Sequence, residues 1–108
     1  MASTPQFPAT PRLGIATLTD DTLTTVLSAG ESGTYVEKLR YACVSSESVT
    51  LKIFVSDGTN DCLILTTSLA QYGSVSLDFA IPSGASIKVQ LSSTPSGAVY
   101  VSVFGGDY

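Results

Sequence analysis

From Leu13 onward, apolar and polar residues alternate with a period of two. In Ser48–Ser56 the residues Val49, Leu51, Ile53 and Val55 fall on one side, with Thr50, Lys52 and Phe54 opposite. That is the signature of a half-buried strand, because successive strand side chains point to opposite faces. The same pattern predicts strands over Leu13–Leu18, Leu23–Ala29, Thr34–Val44, Asp61–Thr67, Ser74–Ile81, Ser86–Ser92 and Ala98–Phe104. Their core stripes include Leu39, Tyr41 and Cys43; Val75, Leu77, Phe79 and Ile81; Ile87, Val89 and Leu91; and Val99, Val101 and Val103. Asp20-Asp21, Asp57-Gly58 with Asn60, Pro82-Ser83-Gly84 and Thr94-Pro95-Ser96-Gly97 supply turn chemistry between them. Ser68–Gly73 is the one stretch with room for a helical turn. About eight short strands without a long helical stripe predict an all-β, antiparallel sandwich, jelly-roll-like or immunoglobulin-like, over residues 13–108.

Ahead of these strands, Met1–Arg12 carries Pro5, Pro8 and Pro11 at a spacing of three. Proline at every third residue fixes φ, removes backbone donors and favours an extended arm. Such an arm orders against a partner or stays free; in the first case Phe7 is its anchor and Arg12 its ionic contact.

The chain has 108 residues, enough for one domain with its own core. Serine and threonine account for 29 of them, while charged residues are only 13%. The net charge is −4, and the five basic residues, Arg12, Lys38, Arg40, Lys52 and Lys88, are scattered rather than clustered. A nucleic-acid surface needs several phosphate contacts from one basic face, so nucleic acid is not expected as a partner. No apolar run approaches the ~20 residues of a membrane helix, so neither is a membrane. Met1 leads into Ala-Ser-Thr-Pro-Gln, without the pattern of a secretory signal, which implies synthesis in a cytoplasm. There Cys43 and Cys62 are expected as reduced, buried thiols.

Catalytic chemistry finds little to work with. The chain has no histidine, which removes the commonest general base and any Ser-His or Cys-His pair. The acids fall mostly in turns and strand ends, and no cofactor or metal site is expected. Asp57-Gly-Thr-Asn60-Asp61 offers two carboxylates and an amide, short of the six or more oxygens that calcium takes, and reads better as an Asp-Gly turn. Sugar-binding sandwiches present aromatic platforms, yet tryptophan is absent here. Tyr35, Phe54, Tyr100 and Phe104 lie opposite the main apolar stripes, where they serve subunit contacts or pack under loops.

Thr24-Thr25-Val26-Leu27-Ser28-Ala29-Gly30, Tyr35-Val36-Glu37-Lys38-Leu39-Arg40-Tyr41-Ala42-Cys43 and Val49-Thr50-Leu51-Lys52-Ile53-Phe54-Val55 occur in succession. They are joined by Val75-Ser76-Leu77-Asp78-Phe79, Ile81-Pro82-Ser83-Gly84-Ala85-Ser86-Ile87 and Val99-Tyr100-Val101-Ser102-Val103-Phe104-Gly105-Gly106. This succession, roughly residues 22–106, resembles the small β-sandwich structural proteins of tailed bacteriophages, particularly those that decorate or cement capsids. The resemblance implies a non-enzymatic virion protein on the capsid surface, assembled in the bacterial host cytoplasm. It further implies the major capsid protein as partner, a homo-oligomer with the trimer favoured, and an arm lying along the shell. A tail, neck or fibre component would share the fold, and a host-binding loop would need a displayed tip such as Asp57–Asp61. A carbohydrate-binding module is the alternative from another class.

Overall fold

The computed structural model describes residues 10–43, 49–69 and 71–108. They form eight strands: β1 (Thr10–Leu18), β2 (Thr24–Ser28), β3 (Thr34–Cys43), β4 (Thr50–Ser56), β5 (Asp61–Ser68), β6 (Tyr72–Ile81), β7 (Ser86–Leu91) and β8 (Val99–Asp107). First pairs with last, second with seventh, third with sixth and fourth with fifth, all antiparallel, as in one long hairpin. Rolling that hairpin brings β8 against β3 and β7 against β4. Two four-stranded sheets result: sheet A, in the order β1-β8-β3-β6, and sheet B, in the order β2-β7-β4-β5. Of the two topologies the alternation allows, this is the jelly roll.

The turns hold the hairpin's bends. At the β4–β5 tip, Asp57 Oδ1 accepts the backbone N–H groups of Thr59 at 2.8 Å and Asn60 at 2.7 Å. These bonds favour the carboxylate and hold the Asp57 pKa below its ordinary value. Asp61 pairs with Lys88 at 3.2 Å. Both acids of the loop are therefore engaged in its own folding. Between β6 and β7 the Ala85 N–H returns to the Pro82 carbonyl, and Gly84 takes the φ of +90° that this tight turn needs.

The core is built from Leu39, Leu51, Ile53, Ile87, Val89, Leu91, Val99, Val101 and Val103, all at 1% exposure or less. Three bulges interrupt the strict alternation, and those in β3 and β2 keep apolar residues inward. Around Glu37 the register of β3 slips against both β6 and β8, so Thr34 and Val36 face the core along with Leu39, Tyr41 and Cys43. A second bulge in β2 lets the adjacent Val26 and Leu27 both be buried. The third lies in β5 at Ile64.

Several expectations are corrected. Of the stretch Ser68–Gly73, where a helical turn had room, Ser68 ends β5, Leu69 is buried, Tyr72 and Gly73 open β6, and Ala70 lies outside the described residues. Leu69 N–H donates to the Val49 carbonyl beside sheet B, and the Cys43 N–H of sheet A donates to the Gln71 carbonyl. Cys43 is buried as expected, but Cys62 is exposed, because β5 is an outer strand. Strand β1 starts at Thr10 rather than Leu13, since Thr10, Pro11 and Arg12 pair with Asp107, Gly106 and Gly105. Pro5, Phe7 and Pro8 of the predicted arm lie outside the described residues.

Candidate interaction face

Arg12 is engaged within the fold. Its guanidinium donates to Asp107 Oδ2 at 2.8 Å and Oδ1 at 3.0 Å, and to the Ser28 carbonyl of the opposite sheet at 2.9 Å. Thr34 Oγ1 donates to Asp107 Oδ1 at 2.6 Å and accepts from the Gly30 N–H at 2.8 Å. This network closes one end of the sandwich and ties sheet A to sheet B. The Thr34 hydrogen bond, then the Arg12 guanidinium, hold the Asp107 carboxyl below its ordinary pKa against the opposing effect of desolvation.

A depressed folded-state pKa sets the sign of the pH dependence. The Asp107 contribution is fully present above the unfolded carboxylate value, about 3.9, and is lost as pH falls through the lower folded value. Asp107→Asn is therefore expected to lower the melting temperature at neutral pH, with the gap to wild type narrowing as pH falls below about 4. Thermal melts of the two proteins across that range measure it; a gap independent of pH would remove the carboxylate from the account.

The outward side of sheet A is unusual for so polar a chain. Leu13 and Ile15 of β1 are 61% and 67% exposed, while small Gly14 and Ala16 take the inward positions. The register sets three rows across the four strands: Leu13–Phe104–Lys38–Ser76, Ile15–Ser102–Arg40–Ser74 and Thr17–Tyr100–Ala42–Tyr72. Tyr72 and Tyr100 are 71% and 48% exposed. The Arg40 guanidinium stands 5.5 Å from the centroid of the Phe104 ring, within cation–π range. A shallow hollow of about 310 Å³ lies among Ile15, Arg40, Ala42, Tyr72, Tyr100 and Ser102. At the β6 margin the Tyr35 hydroxyl donates to Asp78 Oδ1 at 3.1 Å, and desolvation, then this carboxylate, raise the Tyr35 pKa.

Ion pairs among the described residues engage Arg12 and Lys88, so this face displays Lys38 and Arg40 without an acidic partner. Tyrosine, phenylalanine and arginine around exposed aliphatics are the composition of protein-contact surfaces. The fold thus gathers Tyr35, Tyr100 and Phe104 of the four predicted contact aromatics on one face. Phe54 is elsewhere: it sits on the outer side of sheet B, half-buried between Lys88 and Leu63. Leu13, Ile15 and Tyr72 were not predicted for this face. The small-large alternation Leu13-Gly14-Ile15-Ala16 is the sequence signal for the first two; Tyr72 sits in the stretch where a helical turn was expected. Among the described residues, no group of three His, Cys, Asp or Glu side chains is placed to hold a metal ion.

The fold is shared with chains of known structure. A chain of the acid-stable capsid of Helicobacter pylori bacteriophage KHP30 superposes with a TM-score of 0.70 at 13% identity, covering 92% of this chain and 89% of that one. Yersinia pseudotuberculosis-derived mitogen gives 0.50 at 15% identity, with 94% and 87% covered. A pentameric capsid protein from metagenomic phage sequences gives 0.47 at 15% identity, with 88% of this chain and 60% of that one covered. At these identities the likeness is one of fold. No protein-family model matches the chain, and no curated protein matches it.

Proposed function

We propose that this protein is a structural component of a bacteriophage virion, a decoration protein that seats the outer face of sheet A on the major capsid protein shell. The observation that carries the reading is that Leu13, Ile15, Tyr72 and Tyr100 are exposed on the same sheet face as Arg40, on a folded, acidic chain. A contiguous apolar patch on a sheet face exposes surface that a partner stabilises by covering. The jelly roll also builds the capsid-structure chain with which this one superposes, which makes a shell an apt setting. The protein acts by contact and performs no reaction. Many weak contacts repeated by capsid symmetry tie neighbouring shell subunits together, with avidity replacing a deep pocket. The residues ahead of β1, Pro5, Phe7 and Pro8 among them, add a second contact along the shell. Assembly takes place in the host cytoplasm.

The test is the copy number of this chain per purified particle, by quantitative mass spectrometry against the major capsid protein. A number comparable to the capsid protein is expected. A small fixed number would transfer it to the tail, neck or fibres, and absence from particles would overturn a virion role.

A further inference from the structure

We propose that the free edge of β5 pairs with β5 of a second copy, antiparallel, about a two-fold axis passing between Ile64 and Leu65. The two sheets have four outer strands, and three are guarded. β1 contains Pro11, which has no N–H, and lies against the β2 backbone at Gly14. β2 has only five residues and a bulge. β6 is irregular where Asp78 takes a φ of +53°. β5, by contrast, runs eight residues, carries no charge or proline from Cys62 to Ser68, and exposes Leu63, Ile64 and Leu65 at 49%, 40% and 38%. A long, apolar, unguarded edge is a template for another strand.

Charge and face together select the occupant. The only charge on β5 is Asp61, already paired with Lys88. The β4 register places Leu63, Thr66 and Ser68 on the outer side of sheet B, opposite Phe54, Lys52 and Thr50. It places Cys62, Leu65 and Thr67 on the inner side, opposite Val55, Ile53 and Leu51, with the bulge at Ile64. About the stated axis Leu63 meets the partner's Thr66, Ile64 meets the partner's Leu65, Cys62 meets the partner's Thr67, and Asp61 meets the partner's Ser68. Every pair then joins outer to outer or inner to inner, which a one-residue slip in either direction destroys. The bulge is what makes this register self-complementary. The two Asp61 carboxylates stand about 23 Å apart along the strands, so a protein of net charge −4 meets its copy without facing like charges. An apolar crevice of about 440 Å³ opens beside this edge, lined by Val55, Cys62, Ile64, Phe79 and Ile81, and the partner's Leu65 lies at its mouth. The contact is two-fold; a three-fold ring would need two different edges to meet, and the other three are guarded. The inference stands on β5 alone, whether or not the protein belongs to a virion.

Sedimentation velocity over a range up to about 200 µM is expected to show a concentration-dependent dimer of the wild type, with a dissociation constant in the micromolar range for so small an interface. Ile64→Lys, on an exposed edge position, is expected to remain folded by circular dichroism and to weaken the dimer at least about tenfold. In a second measurement, Thr67→Cys under mild oxidation is expected to form a covalent dimer through Cys62, and Thr66→Cys several-fold less. Cys62 and a cysteine at 67 of one chain are five residues apart on an extended strand, too far for an internal bridge. A wild type that is monomeric throughout, an Ile64→Lys protein that dimerises as the wild type does, or stronger cross-linking at 66 than at 67 would each overturn the proposal.

Discussion

Gly14→Ala is expected to cost this fold about 2–4 kcal/mol, a large part of the ~5–15 kcal/mol that holds a domain of this size. Gly14 lies in the middle of β1, where that strand passes over β2. A methyl group there would run into the Val26 carbonyl oxygen and approach Leu27 Cβ at 3.1 Å. The obstacle is the β2 backbone at Val26 and the Leu27 Cβ fixed to that backbone, so no rotamer change relieves it, and β1 has to move away from β2. That shift also strains the Arg12 contact with the Ser28 carbonyl, which crosses between the same two strands. At about 4–8 °C per kcal/mol, the melting temperature falls by at least about 8 °C. Gly84→Ala is the comparison: its φ of +90° is strained for alanine, yet nothing lies within 4 Å of the added carbon, so a loss nearer 1 kcal/mol is expected. Equal melting temperatures for Gly14→Ala and the wild type would show that the sheets have slack at this crossing.

Placing two carboxylates on the outer face of sheet A, Ile15→Asp with Tyr100→Asp, is expected to abolish attachment to particles while leaving the sandwich folded. Both side chains are exposed, at 67% and 48%, so their loss removes little of the core. Both border the hollow beside Arg40. Loss of two central contact side chains commonly removes about 3 kcal/mol or more of binding, a factor of at least about 100. The readout is bound protein in a co-sedimentation assay with shells lacking this chain, with a thermal melt as the folding control. Thr25→Asp, exposed on the other sheet, is expected to bind as the wild type does. Retained binding by the sheet A variant would move the contact surface elsewhere, and loss by Thr25→Asp would implicate sheet B.

The start of β1 dictates which deletion tests the arm. Cutting through Arg12 removes three β1 residues together with the Arg12–Asp107 pair, and so confounds attachment with stability. A deletion ending at Ala9 leaves both in place.

Strand positions, their inward residues and the turn chemistry at Asp57-Gly58 and Pro82-Ser83-Gly84 were all legible in the sequence, because each depends on neighbours one to three residues away. Period-two alternation records which side of a strand meets apolar surroundings, and the Val and Ile stripes of β4, β7 and β8 record it cleanly. The same locality limits what alternation can say. It placed Tyr35, Phe54, Tyr100 and Phe104 opposite the core stripes, yet could not divide them between two sheets. That division depends on pairing β3 with β8 and β4 with β7, strands more than thirty residues apart. Nor could it place the bulges at Glu37, Val26 and Ile64, each of which inverts the phase of the strand residues beyond it.

The contrast is sharpest at β5. Cys62 was expected to be a buried thiol, and only the tertiary structure puts Cys62-Leu63-Ile64-Leu65 at an open edge with exposed leucines and an exposed thiol. Burial there is a property of what lies opposite, and a strand's own residues do not carry that information. By itself the sequence determined a single all-β sandwich with a Val, Leu and Ile core. The tertiary structure decided the jelly-roll order, the gathering of Tyr35, Tyr100 and Phe104 with Leu13, Ile15 and Tyr72, and the use of Arg12 within the fold. Strand formation is a local balance of propensity and burial, whereas a surface is assembled from residues that only long-range pairing brings together.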